Sequence, residues 1–147
     1  MRKNATILLV EDDKVDTMTV QRAFKKNRIM NPLYVTSNGK DALAYLRHER
    51  AYGDPEKSPR PGIIFLDLHM PEMNGIEFLK IVKADNDLRR IPVVVLTTSG
   101  EEEDLVESFN LGVAGYIIKP VEFNKFVESV RLIDLYWSLS ELSPEEK

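Results

Sequence analysis

The chain contains no cysteine among its 147 residues. Without cysteine the protein can form no disulfide, no thiolate zinc site and no cysteine nucleophile. The sequence also lacks an apolar start of the length that a secretory leader or a membrane span requires, because a few apolar residues near the beginning are followed at once by acids. We therefore expect a cytoplasmic protein without membrane insertion.

Positive charge is not concentrated anywhere in the sequence. Lys and Arg number 20 against 24 Asp and Glu, the net charge is −4, and no long basic run occurs. This charge distribution disfavours sequence-independent binding to nucleic acid. A hydrophobic fraction of 43% and a charged fraction of 30% are typical of a globular chain that is long enough for one domain with its own core. We assign residues 1–140 to that domain, with an extended last helix, and residues 141–147 to a flexible tail.

Five short apolar runs alternate with segments of helical periodicity. The runs are continuous and rich in β-branched residues, which favours strands covered on both faces. The segments between them carry apolar residues at three- and four-residue steps. This alternation predicts an α/β fold, a three-layer sandwich around a parallel sheet. The runs are residues 6–10, 33–36, 63–66, 93–96 and 115–118, and the helical segments centre on Val20, Ala23 and Phe24, on Ala42, Leu43 and Leu46, on Phe78, Leu79 and Val82, and on Leu105 and Phe109.

For the strand order we adopt 2-1-3-4-5, the order of flavodoxin-like (βα)5 folds, which brings strands one, three, four and five together. Residues 47–61, a long polar connection with three prolines before the third strand, depart from the minimal pattern. This connection is either a surface excursion or an extension of the preceding helix followed by a loop.

Chemically active side chains follow several of the predicted strands. Glu11 and Asp12 follow the first, Asp67 the third, Thr97 the fourth and Lys119 the fifth. Ligands of open parallel sheets bind beyond these strand ends. Clustered carboxylates repel one another, and a hard divalent cation such as Mg²⁺ removes that conflict. Acids, a cation and one lysine suit phosphoryl transfer, with Asp67 as the best-placed nucleophile, Lys119 as a charge on the phosphate and Thr97 as a hydroxyl donor.

Taken singly, these residues have ordinary structural interpretations. Asp12 and Asp13 can cap the first helix, and we expect Asp13 to do so. Thr97 alone would be a strand or cap residue, and Lys119 alone a solvated lysine. Their combination with Asp67 favours the site. The two histidines, His48 and His69, lack metal-ligand spacing, and we expect both at the surface.

Four motifs in order resemble the receiver domain of bacterial two-component response regulators, over about residues 5 to 132. They are VEDD (10–13), LDLHMPEMNG (66–75), VLTT (95–98) and GYIIKP (115–120). Each motif alone is weak, whereas four in sequence are specific. The resemblance implies a switch that takes a phosphoryl group from a histidine kinase onto an aspartate, with Mg²⁺ or Mn²⁺, and that turns over no external substrate.

The resemblance also implies roles for individual residues. Asp67 is the phosphoacceptor, and the metal is held by Glu11, Asp12, Asp67 and the backbone carbonyl of His69. Thr97 and Lys119 contact the phosphoryl group.

Further implied roles concern the switch and the lifetime of the phosphate. Thr97 is also a switch residue, together with Tyr116, an aromatic that changes rotamer on activation and that would otherwise be a packing residue. His69, Thr98 and Ser99 tune the approach of hydrolytic water. A cis peptide bond before Pro120 is common in the family.

A narrower resemblance is to the small regulators paired with bacterial phytochrome kinases. It rests on the 47–61 insert, the extended last helix and the stretch LTTS at 96–99. It implies a phytochrome histidine kinase as partner. Because too little chain remains after about residue 140 for an output domain, we expect the signal to leave through a downstream protein or a change in oligomeric state, with no direct contact to nucleic acid.

The last helix carries two apolar stripes. A single stripe is enough to cover the sheet. The second stripe allows two interpretations, a chain end folded on its own core or a homodimer surface, for which the candidates are Phe126, Val130, Ile133, Tyr136 and Trp137. The stripes are Phe126, Val130, Ile133 and Trp137, and Leu132, Leu135, Tyr136 and Leu139.

Two alternatives to a phosphorylated switch stay open at this point. One is a Mg²⁺-dependent phosphatase of the haloacid-dehalogenase type, which would need a second acid where this sequence has His69. The other is a pseudo-receiver, which has the same fold but only binds partners.

Overall fold

The computed structural model describes residues 5–70, 73–97, 106–107, 110–118 and 122–140, with side chains of the last helix up to residue 135. One parallel five-stranded sheet forms the centre, in the order β2-β1-β3-β4-β5. This order and the alternation of strands and helices confirm the predicted flavodoxin-like fold. The strands are β1 (Ile7–Val10), β2 (Leu33–Thr36), β3 (Ile63–Asp67), β4 (Val93–Thr97) and β5 (Gly115–Ile118).

Four helices are described, and three of them begin at a side chain that accepts hydrogen bonds from backbone N–H groups. Asp13, Asn38 and Asn74 are these N-caps, so the prediction for Asp13 is confirmed. Of the predicted helical segment around Leu105 and Phe109, the structure describes only 106–107, which are helical. The helices are α1 (Lys14–Lys26), α2 (Gly39–Leu46), α3 (Gly75–Ala84) and α4 (Phe123–Ser140), with short 3₁₀ turns at Arg50–Tyr52 and Leu88–Arg90.

The core lies in two layers, one on each face of the sheet. Because successive side chains of a strand point to opposite faces, Leu8 and Val10 pack with α2 and α3, whereas Ile7 and Leu9 pack with α1 and α4. Phe65 of β3 meets Phe24 of α1 edge-to-face, with ring centroids 5.1 Å apart. Within the described residues, no helix combines the length and apolar character that crossing a bilayer requires.

The expectation that all strands are covered on both faces is wrong for the two edge strands. Val35 of β2 is 42% exposed and Ile118 of β5 is 57% exposed. An edge strand has a neighbouring strand on one side only, which leaves part of it open to solvent.

The 47–61 insert is a surface excursion and not an extension of α2, which ends at Leu46. One hydrogen bond fixes it to α2, since Tyr45 Oη donates to the carbonyl of Pro59 at 2.7 Å. A second contact lies within the insert, where His48 Nε2 is 2.8 Å from the carbonyl of Ser58. His48 is therefore half-buried, contrary to the expectation of a surface histidine. Burial also raises the pKa of the Tyr45 phenol above its ordinary value.

The first apolar stripe of α4 belongs to the core. Phe126 is 3% exposed, Val130 is fully buried, and Ile133 packs against the same cluster. Their assignment to a dimer surface is therefore wrong, because the helix turns this stripe toward the sheet. Leu132 and Leu135 of the second stripe are 53% and 50% exposed. The side chains of residues 136 and 137 and the whole of 141–147 lie outside the described residues.

Candidate functional site

The candidate site lies at the carboxyl ends of the three central strands. Asp67 is the last residue of β3, Thr97 is the last residue of β4, and Glu11 directly follows β1. All three side chains are buried, whereas Asp12 is exposed. Parallel strands present these ends at a single edge, which is why residues far apart in sequence meet here.

Three carboxylates converge at this edge. Glu11, Asp12 and Asp67 each offer an oxygen, and these oxygens all lie within 4.8 Å of one another. Carboxylates this close repel one another, and a cation between them relieves the repulsion. A set of hard oxygen donors that is open to solvent on the Asp12 side fits a divalent cation that keeps some of its water.

The segment after β1 is fixed by backbone contacts. The N–H of Glu11 donates to the carbonyl of Thr36 at 2.9 Å, which extends the pairing of β1 with β2 beyond the strand. The N–H of Asp13 donates to Glu11 Oε2 at 3.3 Å. Asp13 Oδ1 in turn accepts from the N–H groups of Val15 and Asp16 at 2.7 and 3.1 Å. Asp13 thus serves the helix and leaves the cation site to its two acidic neighbours.

Backbone contacts fix the described residues that follow β3. The N–H of His69 donates to Asp67 Oδ1 at 3.1 Å, which orients the carboxylate. The N–H of Gly75 donates to the carbonyl of Leu68 at 3.1 Å. A Cβ on Gly75 would lie 2.5 Å from Leu68 Cα, so only glycine fits there. The dipeptide Asn74-Gly75 thus serves two purposes, since Asn74 caps α3 and Gly75 allows this close backbone contact. The side chain of His69 is exposed, as expected.

Thr97 is fully buried, and its hydroxyl has no hydrogen-bond partner among the residues that the structure describes. A buried hydroxyl without a partner destabilises the fold, typically by about 1–3 kcal/mol. Such a group is suited to hydrogen bonding with a ligand. Thr36, which was assigned no role from the sequence although it ends the second apolar run, has a buried hydroxyl of the same kind at the end of β2. Its position as the polar last residue of an apolar run was the available signal.

Tyr116 is half-buried on β5, where it is paired with Val95 of β4. It packs against the core layer of α2 and α3. Its ring also borders an open depression of about 340 Å³. The depression is lined by Glu107, Asn110, Leu111, Gly112, Val113 and Tyr116.

Four residues named from the sequence at or beside this site lie outside the described residues. They are Thr98, Ser99, Lys119 and Pro120. The roles given to the first three, and the isomer of the bond before Pro120, stay predictions.

The fold and the acidic edge define a receiver-type α/β protein, and comparison with known proteins agrees. The response regulator receiver domain profile matches residues 7–131. Response regulator Rcp1 of Synechocystis sp. is 41% identical over 131 residues, which are 89% of this chain and 87% of Rcp1. The chain belongs to the response regulator receiver family.

Solved structures similar to the chain are also receiver proteins. The bacteriophytochrome response regulator RtBRR is 43% identical, with a TM-score of 0.78 over 86% of this chain and 76% of its own. The phosphorylated cyanobacterial phytochrome response regulator RcpA is 36% identical, with a TM-score of 0.82 over 96% and 99%. The Mn²⁺-bound form of Rcp1 is 41% identical, with a TM-score of 0.77 over 90% and 94%.

Family membership settles the general class of function. The protein is a two-component response regulator, and its partner class is a histidine kinase. Receiver domains are phosphorylated switches, which favours this class over the phosphatase alternative. The acidic cluster fits the divalent metal binding of such domains.

Proposed function

We propose that Asp67 accepts a phosphoryl group from a histidine kinase while Glu11, Asp12 and Asp67 hold Mg²⁺. The observation that carries the proposal is the convergence of three carboxylate oxygens within 4.8 Å at the end of the sheet. Mn²⁺ has similar ligand preferences and can replace Mg²⁺ in experiments. The backbone carbonyl of His69 is the further protein ligand we propose.

The chemistry is an in-line displacement at phosphorus. A carboxylate oxygen of Asp67 forms the new O–P bond as the P–N bond of the kinase phosphohistidine breaks. The products are an aspartyl phosphate and a neutral histidine, whose leaving nitrogen takes up one proton from solvent. When bound, the cation would neutralise the charge on the phosphoryl oxygens. The N–H of His69, which donates to Asp67 Oδ1, holds the nucleophile in orientation.

The phosphoryl group then acts on the switch residues. We propose that the Thr97 hydroxyl donates to a phosphoryl oxygen, since it is buried without a partner in the described part of the chain. Lys119 pairs with another oxygen, a role supported by its place in the GYIIKP motif. The movement of Thr97 biases the surface around Tyr116, and His69, Thr98 and Ser99 tune the approach of hydrolytic water.

We propose that the cognate kinase is a bacterial phytochrome. We also propose that the protein is cytoplasmic. Support for the phytochrome kinase comes from the similarity of the chain to RtBRR and RcpA, which are phytochrome response regulators. The proposal includes a receiver domain that extends over residues 1–140. Phosphotransfer from a phytochrome kinase at a rate well above that from an unrelated histidine kinase is the expected result; equal rates contradict the pathway.

We also propose a homodimer through exposed apolar residues of α4 and β5. Among the side chains that the structure describes, Leu132, Leu135 and Ile118 are the large apolar ones exposed on these two elements. Light scattering should give a dimer mass for the parent and a monomer mass for a Leu132→Ser, Leu135→Ser variant. Met30→Ser is the control, because Met30 is 85% exposed in the loop after α1. A parent that is monomeric with and without phosphorylation contradicts the dimer.

The test of the central proposal is intact mass after incubation with acetyl phosphate and Mg²⁺. We expect a gain of one phosphoryl group that disappears in EDTA and in Asp67→Asn. Asp13→Asn is the matched control, because asparagine also caps helices and Asp13 lies outside the acidic triad. No gain from folded parent protein would favour the pseudo-receiver alternative.

A further inference from the structure

The start of α2 touches the segment that follows Asp67. The N–H of Gly39 donates to the carbonyl of Met73 at 3.2 Å. A Cβ on Gly39 would lie 2.8 Å from that carbonyl oxygen and 2.9 Å from Met73 Cγ, and real Cβ atoms essentially never come within 3.0 Å of such neighbours. The backbone of Gly39 does not require a positive φ. Glycine is therefore required here for space and not for conformation.

Met73 is connected to the phosphoacceptor by a short chain of contacts. Asn74 follows it and caps α3, and Gly75 then donates to the carbonyl of Leu68 at 3.1 Å. Leu68 directly follows Asp67, whose carbonyl oxygen would lie 2.7 Å from a Cβ on Gly75. These close backbone contacts form a route by which a shift of the Met73 backbone can reach Asp67.

The same connection between β2 and α2 also touches the other side of the acidic cluster. The carbonyl of Thr36 accepts from the N–H of Glu11 at 2.9 Å, three residues before Gly39 contacts Met73. Residues 36–39 thus contact the backbones of both segments that supply the acids. The pairing of β1 with β3 brings Glu11 and Asp67 together, and this connection adds one backbone contact to each of the two segments.

We propose that Gly39 is a positioning residue for the acidic site, which sets the place of the Asp67 carboxylate relative to Glu11 through its backbone contact with Met73. Gly39 touches neither cation nor phosphate in this role. The inference rests on the proposed function, because it concerns the same cation site. Cations of this kind demand near-ideal oxygen geometry, so a displacement of one carboxylate by a few tenths of an ångström weakens binding.

The experiment compares Gly39→Ala with Gly53→Ala, where a Cβ would have no contact closer than 3.6 Å. Electron paramagnetic resonance of free Mn²⁺ gives the dissociation constant. We expect Gly39→Ala to bind Mn²⁺ about 10-fold more weakly than the parent, a change typical of lost support around a metal site, and Gly53→Ala to bind as the parent does. In metal-free protein, the amide resonances of His69 and Gly75 should shift in Gly39→Ala only.

Unchanged Mn²⁺ affinity and unshifted resonances in a folded Gly39→Ala variant overturn the inference. If that variant does not fold, Asn38→Ala decides. It removes the cap that accepts from the N–H of Asp41 at 2.8 Å and adds no volume. Weaker Mn²⁺ binding by folded Asn38→Ala supports the inference, and parental affinity overturns it. A parent that binds no Mn²⁺ at all contradicts the proposed function itself.

Discussion

Truncation of Phe126 should destabilise the protein strongly, because its ring is 3% exposed and lies in the core layer shared by α1, α4 and the sheet. Phe→Ala in a packed core removes about 3–5 kcal/mol of unfolding free energy. A domain of this kind has about 5–15 kcal/mol in total, so the loss is a large fraction. With a urea m-value of about 2 kcal/mol per molar, the unfolding midpoint should fall by about 1.5–2.5 M.

Leu132→Ala is the matched control on the same helix. Its side chain is 53% exposed, so the free energy should change by less than about 0.5 kcal/mol. Circular dichroism at 222 nm follows both transitions, at a low protein concentration so that association does not contribute. A similar midpoint for both variants would refute the assignment of the first stripe to the core and return Phe126 to the candidate dimer surface.

Three other predictions concern the site and the insert. Thr97→Val should leave the unfolding free energy unchanged or raise it by up to about 1 kcal/mol, since it replaces a buried hydroxyl without a partner in the described residues. Phosphorylation of this variant by acetyl phosphate, followed by mass spectrometry, should nevertheless be about tenfold slower or more. Tyr45→Phe should cost about 1 kcal/mol at pH 7 in urea titrations, because it removes the bond to Pro59. Burial raises the pKa of Tyr45 above its ordinary value of 10.0. The stability that the Tyr45 hydroxyl contributes is therefore fully present below pH 10.0 and is lost as the pH rises further, so the difference in unfolding free energy between parent and variant should shrink in alkali. Mn²⁺ at about 100 times its dissociation constant should stabilise the parent by about 2.7 kcal/mol in a thermal melt, with reversal by EDTA and a much smaller effect on Asp67→Asn.

The positions of the acids could be predicted because the sheet itself brings them together. Glu11, Asp67 and Thr97 each follow an apolar run, and parallel strands end at one edge, so a strand order was enough to place them side by side. The cap at Asp13 follows from local chemistry alone.

Other features depend on packing that no local pattern reveals. The two stripes of α4 have similar composition, and the rotation of the helix against the sheet decides that Val130 is buried and Leu135 is exposed. Gly39 meets Met73 only after β2 and β3 have taken their places in the sheet. His48 is half-buried because the insert returns over it at Ser58, a contact that periodicity cannot indicate.

The most direct test of the account is to locate the phosphoryl group on the chain. Acyl phosphates are reduced by borohydride, so a phosphorylated aspartate becomes homoserine and can be found by peptide sequencing in a mass spectrometer. After phosphorylation with Mg²⁺, the account predicts homoserine at Asp67 alone, with Asp12 and Asp13 unchanged. Homoserine at Asp12 or Asp13 would contradict the assignment of Asp67 as the acceptor, as would a chain that carries phosphate but yields no homoserine.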